Sequence, residues 1–165
     1  MFNIGKILLD GVILSILASI LLIGTLRFNP RLFLQDYPQS IQSLVPAKTP
    51  KEKRQSLIVG IPFLLLLVVI PFLSTRRLMR QSGGEATFVQ LFLHAFGVVF
   101  IFNLVDFILL DWLMFCTLTP KFVIIPGTEG SEAYKDYLFH FKASITGAIL
   151  SIMAGLLIAG IVSLM

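Results

Sequence analysis

Two aspartates, Asp106 and Asp111, lie in the stretch NLVDFILLDWLMFC, and a histidine, His140, lies in YKDYLFHFK, four residues after Asp136. Carboxylates and imidazoles are the side chains that most readily carry protons or ligate metals. Here they sit among residues apolar enough for a bilayer interior, where an ionisable group is costly and marks a functional site by default. On an ideal α-helix each residue turns by roughly 100°, so Asp111 falls about 140° around from Asp106. The spacing therefore predicts two separate aspartates, not a side-by-side pair. Trp112 reads as an interface aromatic, which puts Asp111 at headgroup level and Asp106 ~7.5 Å deeper along the helix.

Partners of opposite sign are available. Arg27 and Arg31 follow the first apolar segment, Lys121 follows the third, and His140 and Lys142 open the fourth. A polar cluster of Asp106, Asp111, Arg27, Arg31, His140 and Lys142 is expected. It is open to two readings: an ion-pair network that locks helices together, or the floor of a pocket. Glu129, Glu132 and Asp136 add oxygen donors, but they form no compact ligand motif, so no metal or other cofactor is expected. His94 and His140 fall near opposite membrane faces and do not flank one haem iron; His94 reads as a packing or hydrogen-bonding residue. In PGTEGSEAYKDY, Gly127 and Gly130 bracket Thr128 and Glu129. Exposed amides there suit an anion such as a lipid phosphate, and equally a plain turn before the next helix. There is no G-x-S-x-G nucleophile motif, and the single cysteine, Cys116, excludes an internal disulfide.

The elements that carry these residues follow from composition. The 165-residue chain is 56% hydrophobic and 13% charged, with 15 Phe. Soluble domains are closer to one-quarter charged. Four segments reach the ~20 apolar residues that cross a hydrocarbon core. The predicted fold is thus an all-α membrane protein: one domain over 1–165, with four transmembrane helices at about 7–27, 50–75, 86–118 and 133–164. The first apolar run is long for a signal peptide and lacks a small-x-small cleavage site, so it is read as a retained helix. Thr49, Pro50 and Glu52 spell an N-cap, a first-turn proline and a capping box for the second helix. The third segment would be about 48 Å long as one α-helix, against a core of about 30 Å, so it must tilt, break or protrude. Ile41, Leu44 and Val45 between Pro38 and Pro46 predict a short interfacial helix near 38–45, with a loop packed on the helix ends as the alternative. Asp10 falls at a helix end, where it pairs with Lys6 or favours the helix N-terminus.

Small residues recur every fourth position in the fourth helix, at Ala143, Gly147, Ser151, Gly155, Ala159 and Ser163, and in the first at Gly11, Ser15 and Ser19. Such stripes let backbones approach closely in lipid. The expectation is that the first and fourth helices pack on each other; a homodimer or a partner membrane protein is the alternative.

The net charge of +4 comes from basic residues flanking apolar runs, so membrane lipids are expected as partners and nucleic acid is not. Nine of these residues (Arg27, Arg31, Lys48, Lys51, Lys53, Arg54, Lys121, Lys135, Lys142) share the face of the two long connections. Four (Lys6, Arg76, Arg77, Arg80) share the face of the termini. That bias predicts a plasma- or inner-membrane protein with its long connections cytoplasmic and its termini outside.

The segments FNPRLFLQDYP, DWLMFCTLTPKFVIIPGTEG and YKDYLFHFK converge on the long-connection face, and with them the chain resembles an uncharacterised family of small bacterial four-helix integral membrane proteins. That resemblance implies the same four-helix fold and carries no activity. Three functions are expected as alternatives: binding or transport of a lipid or small solute at the polar pocket; an intramembrane lipid-modifying enzyme using Asp106, Asp111 and His140; or an accessory subunit of a membrane complex.

Overall fold

A computed structural model describes residues 3–165. It is an all-α bundle, with no strand among the described residues. Helices α1 (Ile4–Phe28), α3 (Pro50–Gln81), α4 (Phe88–Leu118) and α5 (Tyr137–Ser163) are each long and apolar enough to cross a membrane. α2 (Gln39–Gln42) is a single turn between α1 and α3. Helix starts follow side-chain chemistry. Asn3 caps α1 through Lys6 N–H, and Thr49 and Glu52 close both hydrogen bonds of the capping box of α3. Thr87 and Gln90 do the same for α4. Ser131 caps a short 3-10 turn, Glu132–Lys135, rather than α5 itself. α5 starts at Tyr137, where Asp136 accepts from Phe139 N–H at 2.9 Å.

α4 is the hub of the bundle. It packs most extensively on α5 and next on α1, while α1 and α5 barely meet. The expected pairing of the first and fourth helices is thereby corrected: both small-residue stripes close on α4. A Cβ on Gly155 would stand 2.9 Å from Phe96 Cβ, and one on Gly11 would stand 2.8 Å from Ile101 Cβ, both of α4. Ser15, Ser151, Gly155 and Ala159 are buried in these seams, whereas Ala143 and Ser163 are exposed. Ser15 and Ser151 donate to Gly11 O and Gly147 O within their own helices, so they pack as small residues without an unpaired hydroxyl.

The core has three layers. One at the hairpin end contains Leu78, Leu91, Ile158 and Val162. The middle one contains Leu14, Ala18, Val98 and Phe102. The third is made largely by the long connections: Leu34, Tyr37, Ile41, Val123, Ile125 and Tyr134 pack with Leu26 and Phe115. Tyr37 donates to Val123 O at 2.8 Å, and Tyr134 Oη accepts from Ile125 N–H at 2.9 Å. Ile41 is fully buried in this roof, so α2 turns its apolar side into the protein, with Leu44 left exposed.

The charge expected near the N-terminus is also placed differently. Asp10 does not pair with Lys6; it accepts from Ser74 Oγ at 2.5 Å, and Ser74 Oγ lies 2.6 Å from His94 Nε2. Lys6 reaches Gln81 instead. The buried Ser74 and His94 thus tie α1, α3 and α4 together near the hairpin end.

If the Gly155 contact sets the α4–α5 spacing, Gly155→Ala costs about 1–3 kcal/mol through overpacking against Phe96 backbone. Gly160→Ala, where an added Cβ meets nothing within 4 Å, leaves stability unchanged or slightly raised. Thermal unfolding of both variants in one detergent reads the difference.

Candidate functional site

The second half of α4 is not α-helical. Asp106–Leu118 is wound as a π-helix of 13 residues, a form that is rare, mostly confined to single-turn bulges, and frequent at functional sites. Its hydrogen bonds run from residue i to i+5, which stacks residues five apart; Thr119 N–H closes on Met114 O at 2.9 Å. Asp106 and Asp111 are five apart. The α-helical expectation of separate faces is corrected for this reason, and both carboxylates line one cavity. The same winding corrects the reading of Asp111 as an interface marker. Trp112 points outward, 40% exposed beside Tyr137, while Asp111 points inward and pairs with His140.

The change of winding begins beside an anchor between helices. Asn103 Nδ2 donates to Ser144 O of α5 at 3.2 Å, and its side chain fills the notch that Gly147 leaves, closely enough that any Cβ there would collide with it. α5 in turn delivers His140 to Asp111: Nδ1 lies 2.9 Å from Asp111 Oδ1. His140 is 3% exposed, and its Nε2 has no partner among the described residues. Asp106 receives no hydrogen bond and forms no ion pair among the described residues.

These groups face a cavity of about 540 Å³. Its walls are Leu22 and Leu26 of α1, Gly60, Phe63 and Leu64 of α3, Leu110 and Phe115 of α4, and Phe139 of α5. The 3-10 segment Pro30–Asp36 roofs it and adds Asp36, with Tyr37 following. α3 is the loose wall, with no buried residue before Pro71. Asp36 is exposed and lines the cavity at its roof end. Desolvation by the protein around it raises its pKa from the ordinary 3.8; Lys48 opposes the rise and Asp111 adds to it. Burial, then Tyr134 and Asp36, raise the Tyr37 hydroxyl, which stays a neutral donor to Val123 O.

The other expected site residues go elsewhere. Arg27 lays its guanidinium over the Phe122 ring, 4.8 Å from the centroid. Arg31 pairs with Glu52 (Nε to Oε1, 2.6 Å) and donates to Pro46 O at 3.0 Å, latching the roof to the start of α3. Lys142 is exposed. Thr128 is buried and spends its hydroxyl on Ile125 O and Tyr134 Oη. Glu129 takes the Gly127 N–H with its own carboxylate at 2.9 Å, so the glycine turn is occupied from within. The expected six-residue network therefore reduces to Asp106, Asp111 and His140, with no Lys or Arg among the described residues ion-paired to them. Among the described residues no three His, Cys, Asp or Glu side chains gather closely enough to hold a metal. Asp36 is the wall residue that spacing arguments passed over; the signal available was a carboxylate between apolar residues in FLQDYP. No protein-family model, curated protein or solved structure matches the chain.

Asp36 gives a pH signature. Because its folded pKa is raised, the folded state binds its proton more tightly than the unfolded state does, and stability falls as pH rises from 3.8 through the folded value. Asp36→Asn therefore raises the melting temperature at neutral pH, and the gain vanishes below pH 3.8. Melting curves of both proteins across that range read the effect.

Proposed function

We propose that this protein binds a lipid or small amphiphilic solute in the cavity between α1, α3, α4 and α5. The observation that carries the reading is that a mostly apolar cavity reaches Asp106 and His140, whose Nε2 has no partner among the described residues, with the few other polar groups gathered at Asp36, Asp111, Gln35 and Ser56. Its volume of about 540 Å³ lies within the ~300–1,000 Å³ of small-molecule sites. Paired-off charges and a closed core would have favoured an accessory subunit. A second reading, chemistry on the bound molecule, is supported by the Asp111–His140 pair, in which a carboxylate orients an imidazole whose other nitrogen faces the cavity.

Mass spectrometry of protein purified in mild detergent tests both. The expected result is one amphiphile per chain, depleted by Ala143→Phe, which fills the cavity from an exposed wall position. Wild-type protein without any bound amphiphile would overturn the binding reading. If the site is catalytic, His140→Gln protein carries a ligand of different mass from the wild type; identical ligands would leave binding alone.

We further propose that the protein resides in a plasma or inner membrane with the long connections cytoplasmic, on the nine-to-four distribution of Lys and Arg. An impermeant maleimide added to intact cells should label Glu85→Cys and spare Ser43→Cys, both exposed positions. The reverse pattern would invert the topology.

A further inference from the structure

The polar groups that meet in the cavity are matched in kind, and that restricts what can sit between them. Asp36, Asp106 and Asp111 present carboxylates, which only accept hydrogen bonds when ionised. His140 adds a fourth acceptor. Its Nδ1 lies 2.9 Å from Asp111 Oδ1; when the ring is neutral with its proton on that side, Nε2 keeps a lone pair. That nitrogen is buried, unpartnered and on the cavity wall.

Donors on the protein side, the Gln35 amide apart, are already engaged. Ser56 Oγ donates to Leu32 O at 2.7 Å and Tyr37 Oη to Val123 O at 2.8 Å. Lys48, the cation nearest Asp36, holds Leu32 O at 3.0 Å and the side chains of Gln35 and Ser56 from the rim. Arg31 is engaged with Glu52.

Resting on the amphiphile-binding reading, we propose that the ligand's headgroup is a primary ammonium, drawn to the acidic wall of the cavity with His140 Nε2 as one of its acceptors. A primary ammonium brings three N–H donors and one positive charge. It gives His140 Nε2 the donor it lacks and offsets one carboxylate charge. A phosphate or carboxylate headgroup would add negative charge to a site already acidic. A quaternary ammonium would match the charge but offers no N–H, so His140 Nε2 would stay unsatisfied, at the cost of a buried polar group without a partner. A polyol donates too, but each hydroxyl also brings an acceptor, for which the Gln35 amide is the donor left on this wall. Phe33, Phe63 and Phe115 supply faces for the methylenes next to the cation and favour it through their ring quadrupoles.

The test uses the full chain in maltoside detergent and four probes with one tail: dodecylamine, dodecyltrimethylammonium, dodecyl phosphate and monododecanoyl glycerol. Dissociation constants are read by native mass spectrometry. Dodecylamine is expected to bind about tenfold or more tightly than each of the others, and Ala143→Phe to weaken it. Asp106→Asn and Asp36→Asn should each weaken dodecylamine about tenfold, equivalent to about 1.4 kcal/mol, with the glyceride unchanged. Asp36 lies in the roof outside the spanning helices, so its variant reports even if Asp106→Asn does not fold. Equal binding of the amine and the trimethylammonium or glyceride probe would overturn the ammonium assignment and leave the cavity reading standing. Tightest binding of the phosphate probe would do the same. Failure of all four to bind saturably would remove both.

Discussion

Everything at the long-connection face depends on the register of the second half of α4. With α-helical winding, one of Asp106 and Asp111 would face lipid or a neighbouring helix, and a carboxylate in lipid is among the costliest placements a membrane chain can make. Winding with i→i+5 hydrogen bonds turns both inward, onto one cavity. The register is set one turn earlier, where Asn103 seats in the notch at Gly147 and bonds Ser144 O. The stripe on α5 thus does more than bring two backbones together. It fixes the point from which α4 can unwind, and it presents His140 at the height where Asp111 arrives.

The cavity exists because α3 is fully buried at one end only. Pro71, Ser74, Thr75 and Leu78 bury its hairpin half, with Ser74 bridging Asp10 and His94, while only 6% of its most apolar stretch is buried. The other half stays beside the bundle through the Arg31–Glu52 latch and partly buried contacts such as Phe63 on Phe102. Space lined by acceptors is left between. Such a site is a stability liability, since it leaves His140 Nε2 buried without a partner among the described residues, and proteins tolerate liabilities of this type where binding needs them.

Fold class was legible because lipid imposes it: four apolar runs of spanning length admit little else. Local signals were equally direct. Thr49, Pro50 and Glu52 form the cap their types require, and Asp106 was identified as the ionisable residue needing an explanation. What spacing could not supply was the winding of α4, since the argument placing Asp106 and Asp111 on different faces assumed 100° per residue. Pairing among helices was likewise hidden: small-residue stripes announce close approach without naming the partner, and α4, which receives both, carries bulky Phe96 and Ile101 at the contacts. The cations expected to neutralise the aspartates were claimed by Glu52, by backbone carbonyls and by an aromatic ring. These are tertiary competitions that no local pattern records.

The Tyr37–Val123 hydrogen bond joins residues 86 positions apart, and it belongs to a roof built from both long connections. Non-local contacts of this kind wait for the intervening chain. During synthesis, α1 and α3 emerge long before Val123 and Tyr134, so they enter the bilayer with the acidic chamber still unroofed. Biogenesis therefore has a defined late step: the roof that carries Asp36 closes only once the chain through Tyr134 has emerged.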